Sequence, residues 1–190
     1  IDTADFTRFS GQTIGWEFEQ NTLNRKQFAN GGHHLEFKIR YINGKERSIP
    51  GSTSTQSFDL AKYHDWLHLE TNLQSFIIDK THFHWGLHFK GVLSTQKLFS
   101  NYKASILSAP SFAPFPDVNT LFLDEYRSPI HAGAGTNIVF TLRKNWDLRI
   151  DAYWYQPFKM ILLNIHLRVR TKYFGQFFLP NAYTCILHLK

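Results

Sequence analysis

Cysteine occurs once in the 190 residues, at Cys185. A single thiol excludes a disulfide framework and a zinc site built from cysteines. No stretch approaches the ~18 consecutive apolar residues that a membrane-crossing helix needs. No leader-like segment precedes the pattern, and a chain that opens on Ile1 is expected to be a piece of a longer protein. Charged residues make up 19 %, below the ~25 % usual for soluble domains. Basic residues outnumber acidic ones by 21 to 15, giving +6, but they are spread along the chain rather than clustered. With no recognition helix and no RNA-binding signature, no nucleic-acid partner is expected.

What the chain does have is aromatic side chains, at 16 %, set in a two-residue rhythm. In WDLRIDAYWYQPF, residues 146–158, Trp146, Leu148, Ile150, Ala152, Trp154 and Phe158 alternate with Asp147, Arg149, Asp151, Tyr153 and Tyr155. Side chains of a strand alternate faces, so this is a strand with one oily and one charged face. TIGWEFEQN, HHLEFKIRY and HFHWGLHFKGVL repeat the pattern, and WLHLETNLQSFII and GTNIVFTL carry softer versions. The pattern predicts antiparallel strands over 12–21, 31–43, 63–79, 82–95, 131–144 and 146–163, with a seventh near 97–108. Ile161 to Arg170 alternates in the same way, so a further strand is expected there. Short links at 79–82 and 143–146 read as hairpin turns at one common end. Residues 44–62 read as a flexible loop with a turn near Leu60–His64, and 108–130 as a proline-rich loop.

Two arrangements satisfy this rhythm. A soluble sandwich or lipocalin-like module buries the oily faces. A membrane barrel turns them outward to lipid and points the charged faces into a wet lumen. The five tryptophans, mostly near strand ends or beside polar residues, fit a bilayer interface as well as a core. In the barrel arrangement Leu87, Phe89, Leu148 and Ile150 face lipid, and Lys90, Arg149 and Asp151 face the lumen. Neutralising Asp151 is then expected to matter little.

The segment Gln96–Phe158 resembles the carboxy-terminal barrel of the patatin-like phospholipases of Bacteroidota, itself related to BamA-type bacterial surface antigens. The likeness is carried by NYKASILSAPSFAPFPDVNTLFLDEYRS, then HAGAGTNIVFTL, then WDLRIDAYWYQPF. The earlier GWEFEQNTLNRKQFANGGHHLEFKIRYINGKERSIPG is similar to the same barrel. The resemblance implies an all-β fold, a partial antiparallel transmembrane β-barrel forming the carboxy-terminal portion of a larger one. It implies an outer-membrane barrel domain over 1–190 that anchors a lipid acyl hydrolase, with patatin and periplasmic domains upstream. The implied partners are outer-membrane lipid, those upstream domains and a second copy of the chain. The hydrolase would need a Gly-x-Ser-x-Gly elbow. GSTST at 51–55 lacks the second glycine and no other serine is flanked correctly, so no catalytic residue is expected in this chain. A BamA-type assembly or translocation barrel without a lipase is the alternative within this fold. The carboxy terminus, NIHLRVRTKYFGQFFLPNAYTCILHLK, departs from the family's closing strands.

Ten histidines invite a metal assignment, with His82, His84 and His88 alternating along one face and His34 and His68 on polar faces. Zinc needs three or four ligands converging at about 2 Å; next neighbours on one strand face stand roughly 6.6 Å apart, a spacing that permits chelation with a ligand from an adjacent strand. A polar lumen that tolerates histidine is the expectation, with no metal, cofactor-binding or catalytic residue. Asp147, Arg149 and Asp151 are expected to form a charge ladder with the neighbouring strand. His131, Gly133 and Gly135 precede no helix and so make no phosphate loop; the glycines are expected to relieve crowding where a strand bends.

Overall fold

The computed structural model describes residues 3–25, 28–52, 60–114, 124–143, 146–159, 161 and 182–189, of which 124, 143 and 182–189 are described as backbone. Seven strands form one sheet, β1 Phe6–Asn21, β2 His33–Ile49, β3 Leu60–Lys80, β4 Phe83–Ser94, β5 Ile130–Arg143, β6 Trp146–Lys159 and β7 Ala182–Leu189. Their order in the sheet is their order in the chain, and every neighbouring pair is antiparallel. The fold is therefore all-β, and the sheet is open, with β1 and β7 as its two edges.

Strand alternation puts the links at alternate ends. Residues 22–32, 81–82 and 144–145 connect strands at one end, and 50–59, 95–129 and 160–181 at the other. The two short turns do share an end, as the interruptions of the rhythm predict. Three expectations need correcting. β2 runs on to Ile49 and β3 starts at Leu60, so 44–49 and 60–62 are strand and Leu60–His64 is no turn. Lys45, Glu46, Arg47 and Ser48 are polar on both faces, which hides a strand from any hydrophobic rhythm. The segment near 97–108 is not a strand but carries a helix, α1, at Tyr102–Ser108. Asn101 caps it by accepting from the N–H groups of Lys103 and Ala104, and Pro110 follows its end. The strand expected over Ile161–Arg170 lies, apart from Ile161, outside the described residues.

The sheet curls strongly. Its hydrogen-bonded path from β2 to β6 covers four interstrand steps, roughly 19 Å. Yet Arg25 and Ala29, in the link between β1 and β2, touch β6: Arg25 pairs with Asp147 at 3.0 Å, and Arg149 donates to the Ala29 carbonyl at 2.7 Å. Phe28 in that link takes φ = 51°, a left-handed value uncommon outside glycine. Its ring lies 5.6 Å from the Arg149 guanidinium, which helps to hold the bend.

The space inside the curl is filled from the other end. The β4–β5 link folds back across the concave face and contacts β2 through Ser100, β3 through Phe99, and β4 to β6 through Phe112. Phe112, Tyr153 and Tyr155 form the buried apolar cluster, with Tyr126 packed against it.

Candidate functional surfaces

The burial of the two faces is inverted relative to a water-soluble sheet. Side chains of one face stand in rows fixed by the register, such as Lys38–Glu70 and Asn72–Lys90, or His88–Gly135–Tyr153. These are the charged and polar positions of the rhythm, and they are inside. Glu46, His64, His84, His88, His131, Asn137, Arg149 and Asp151 are all buried. The apolar positions are outside. Ile14, Trp16, Phe18, Phe37, Leu67, Leu73, Leu87, Phe89, Leu93, Phe140, Leu142, Trp146 and Phe158 are exposed. Half-exposed side chains of this size present on the order of 1,000 Å² of apolar surface together. The largest patch on a typical soluble monomer is ~300–600 Å².

Buried charges need partners, and this interior supplies them. Lys38 pairs with Glu17 at 3.3 Å and with Glu36; Lys90 pairs with Glu70 at 2.8 Å. His84 donates to Asp79 at 2.7 Å and His88 to Asn72 at 3.0 Å. The aspartates and arginine of β6 are placed inside as expected, but their pairing is not a simple cross-strand ladder. Arg149 Nε donates to both carboxylate oxygens of Asp151, two residues along its own strand, at 2.9 and 2.7 Å. Asn137 on β5 donates to the same carboxylate at 2.7 Å. Asp147 accepts from Thr141 at 2.8 Å. Asp151, 1 % exposed, is thus locked in a network rather than facing open water, and its neutralisation is now expected to be costly.

The histidines do not converge. His82 sits in the β3–β4 turn, outside the strand that carries His84 and His88, and donates to the Thr141 carbonyl at 3.1 Å. His68 contacts Glu70 at 3.4 Å, and His34 stands 3.2 Å from Glu19. Among the described residues the one trio with metal-compatible spacing is Glu17, Glu19 and Glu36, and Lys38 is already paired with two of its members.

Two features escaped the sequence. The first is a buried pair between β2 and β3, in which His64 Nε2 donates to Glu46 at 2.7 Å while Glu46 accepts from the Ser100 N–H at 2.8 Å. Phe9, Trp66 and Phe99 surround it. Glu46 falls in the stretch read as a loop, so no rhythm could pair it with His64. The second is the seat of Phe112. A Cβ added at Gly133 would fall within the Phe112 ring, and one at Gly135 within the Tyr153 ring. The glycines do relieve crowding, and β5 pairs without a register shift from His131 to Thr141. The crowding comes from rings lying over the strand.

On the outer face, Trp85 donates its indole N–H to Thr136 at 2.8 Å, and Thr136 donates to the Gly86 carbonyl at 3.3 Å. These polar atoms within the apolar surface are therefore paired without water. No helix among the described residues is long and apolar enough to cross a membrane, which says nothing of strands. No family model matches the chain, and neither curated proteins nor solved structures give a match.

Proposed function

We propose that this chain is part of an antiparallel outer-membrane β-barrel that anchors a patatin-like lipid acyl hydrolase at the bacterial outer membrane. The observation that carries the barrel half of this reading is the inverted burial across one curled sheet. A soluble sandwich would cover the apolar face with a second sheet, whereas all the described strands belong to one sheet. The dimensions agree. The outward apolar positions of β4 run from Phe83 to Leu93, ten residue steps or roughly 34 Å along the strand. At a tilt of about 40° that becomes roughly 26 Å, against an apolar band ~25 Å tall in outer-membrane barrels. Beyond Tyr41 the outward positions of β2 turn polar, at Asn43, Lys45 and Arg47. β2 thus rises out of the band at the end that carries the two longest links, 95–129 and 160–181. That is the extracellular end in bacterial barrels, with the short turns in the periplasm.

The hydrolase half of the reading is supported by the resemblance of Gln96–Phe158 and of the earlier paired strands, and the chain itself contributes anchoring, not chemistry. The test is to refold the protein, with the sequence that precedes these strands restored, into detergent micelles. A heat-modifiable band on electrophoresis, and lipid acyl hydrolysis by the restored upstream domain, are expected. A water-soluble, monodisperse species without detergent overturns the barrel. A barrel without a Gly-x-Ser-x-Gly domain upstream overturns the anchoring of a hydrolase.

A further inference from the structure

We infer that the outer face of β1–β3, above the apolar band, is a binding surface for the phosphate-bearing headgroups of the lipid around the barrel. This rests on the barrel reading, which puts that face against lipid. The pleat and the register fix the positions. Phe9 and His64 point inward, where their rings meet Phe99, and Glu46 points inward onto His64. Their neighbours Arg8, Lys45, Arg47 and Tyr63 therefore stand on the outer face. Arg8 is the register partner of Arg47, and Lys45 lies one row below, between Ser10 and Tyr63. Three exposed cations thus occupy two adjacent rows, with Arg8 and Lys45 roughly 7–8 Å apart on the diagonal. At their other ends β1 and β2 present Gln20 and His33 outward, so on this strand pair the outward cations gather at one end.

Inside the curl, cations are held by carboxylates. Lys38 pairs with Glu17 and Glu36, Lys90 with Glu70, and Arg149 with Asp151. Among the described residues no carboxylate pairs with Arg8 or Lys45; Lys45 lies instead over the Tyr63 ring, 5.4 Å from its centre. Asp65 faces outward in the row below Lys45, and one carboxylate against three cations leaves the patch positive. Two rows below Lys45 comes the exposed apolar row Ile14–Tyr41–Leu67. At a strand tilt of about 40°, Lys45 stands roughly 10 Å above that row, clear of the acyl chains and at the level of the headgroups. A lysine or arginine at that level attracts anionic headgroups, and the pull fades within a Debye length. Phosphate is the anion this set suits. The Arg8 guanidinium presents a planar fork that can engage two phosphate oxygens, and Lys45 adds a point charge. Tyr63, 76 % exposed, is an amphipathic ring of the kind a headgroup interface favours.

The test uses the full-length protein refolded in neutral detergent, with heat-modifiable mobility as the check on folding. Native mass spectrometry follows the lipid that stays bound when the micelles carry lipid A with both phosphates, dephosphorylated lipid A or phosphatidylcholine. The phosphorylated form should be retained over the other two. Arg8→Gln combined with Lys45→Gln should weaken its binding roughly thirtyfold across a lipid titration, while Arg8→Lys with Lys45→Arg should keep most of it. A folded Arg8→Gln, Lys45→Gln variant that binds lipid A as the wild type does overturns the patch and leaves the barrel intact. Equal retention of the phosphorylated and dephosphorylated forms overturns phosphate recognition. Inorganic phosphate bound as tightly as lipid A, read by calorimetry, would assign the patch to a free anion and overturn the lipid. Failure of the wild type to show heat-modifiable mobility overturns the barrel, and the lipid surface with it.

Discussion

The Glu46 carboxylate and the His64 imidazole lie 2.7 Å apart with both side chains essentially sealed from solvent. Glu46 also takes the Ser100 N–H, so one carboxylate joins β2, β3 and the β4–β5 link. Removing either partner strands the other in the interior. Glu46→Leu and His64→Leu are each expected to cost about 3–5 kcal/mol. The double variant should cost clearly less than their sum, because neither buried polar group is then left without its partner. Urea titration of the refolded protein measures all three. Strict additivity would mean that the pair is not coupled.

Leu87 offers the sharpest test of which solvent touches the outer face. It is 42 % exposed, and at an exposed position in water Leu87→Arg should change stability by no more than about 0.5 kcal/mol. Facing the middle of a bilayer, it should cost about 2–4 kcal/mol, and Leu148→Arg should behave alike. Refolding into lipid vesicles distinguishes the two. A near-neutral result for both arginines sinks the outward-to-lipid assignment.

Asp151→Asn is expected to be expensive in spite of facing inward. The substitution removes the charge that Arg149 is bound to through both oxygens, with the arginine only 7 % exposed. Charge-assisted hydrogen bonds are worth about 1.5–3 kcal/mol each, so a loss of at least ~2 kcal/mol is expected. Arg149→Met with Asp151→Leu should recover much of it. Equilibrium unfolding in detergent provides the readout.

Gly135→Ala should destabilise by about 1–3 kcal/mol, because the new methyl must displace the Tyr153 ring. That ring cannot move freely, since its hydroxyl accepts a 2.8 Å bond from buried Asn137. A companion Tyr153→Phe removes the bond and should lower the extra cost of the methyl. Equal costs in both backgrounds would show that the ring was not the obstacle.

Residues 1–190 alone should not form a monomeric barrel. β1 and β7 run in the same direction, because six antiparallel steps separate them. Joining them would give a parallel seam, whereas bacterial barrels are antiparallel with an even strand count. Antiparallel closure therefore needs an odd number of further strands. Left open, two edges of unpaired backbone groups favour association in water. Light scattering and cross-linking should report aggregates or paired copies, and a protease-resistant monomer in detergent would contradict the expectation.

The strands themselves were legible because alternation is a local property. WDLRIDAYWYQPF and HFHWGLHFKGVL each declare two unlike faces without reference to anything else in the chain. Consecutive strands separated by two-residue turns also made their antiparallel pairing readable. Legibility failed where the rhythm is masked or short. Lys45–Ser48 is polar on both sides and reads as loop, and seven residues around Ala104 fit strand or helix until Asn101 is seen to cap them.

Which face lies inside is not written in a period of two, since inverting every side chain leaves the pattern unchanged. That choice belongs to the direction of curl. Only in the folded chain does Arg149 meet Ala29 across the concavity and Phe112 settle over Gly133, contacts that join residues far apart in sequence. The sequence by itself determined a set of two-faced antiparallel strands. The tertiary structure decided that their charged faces turn inward, because only inside the curl do charges such as Arg149 and Asp151 find their partners.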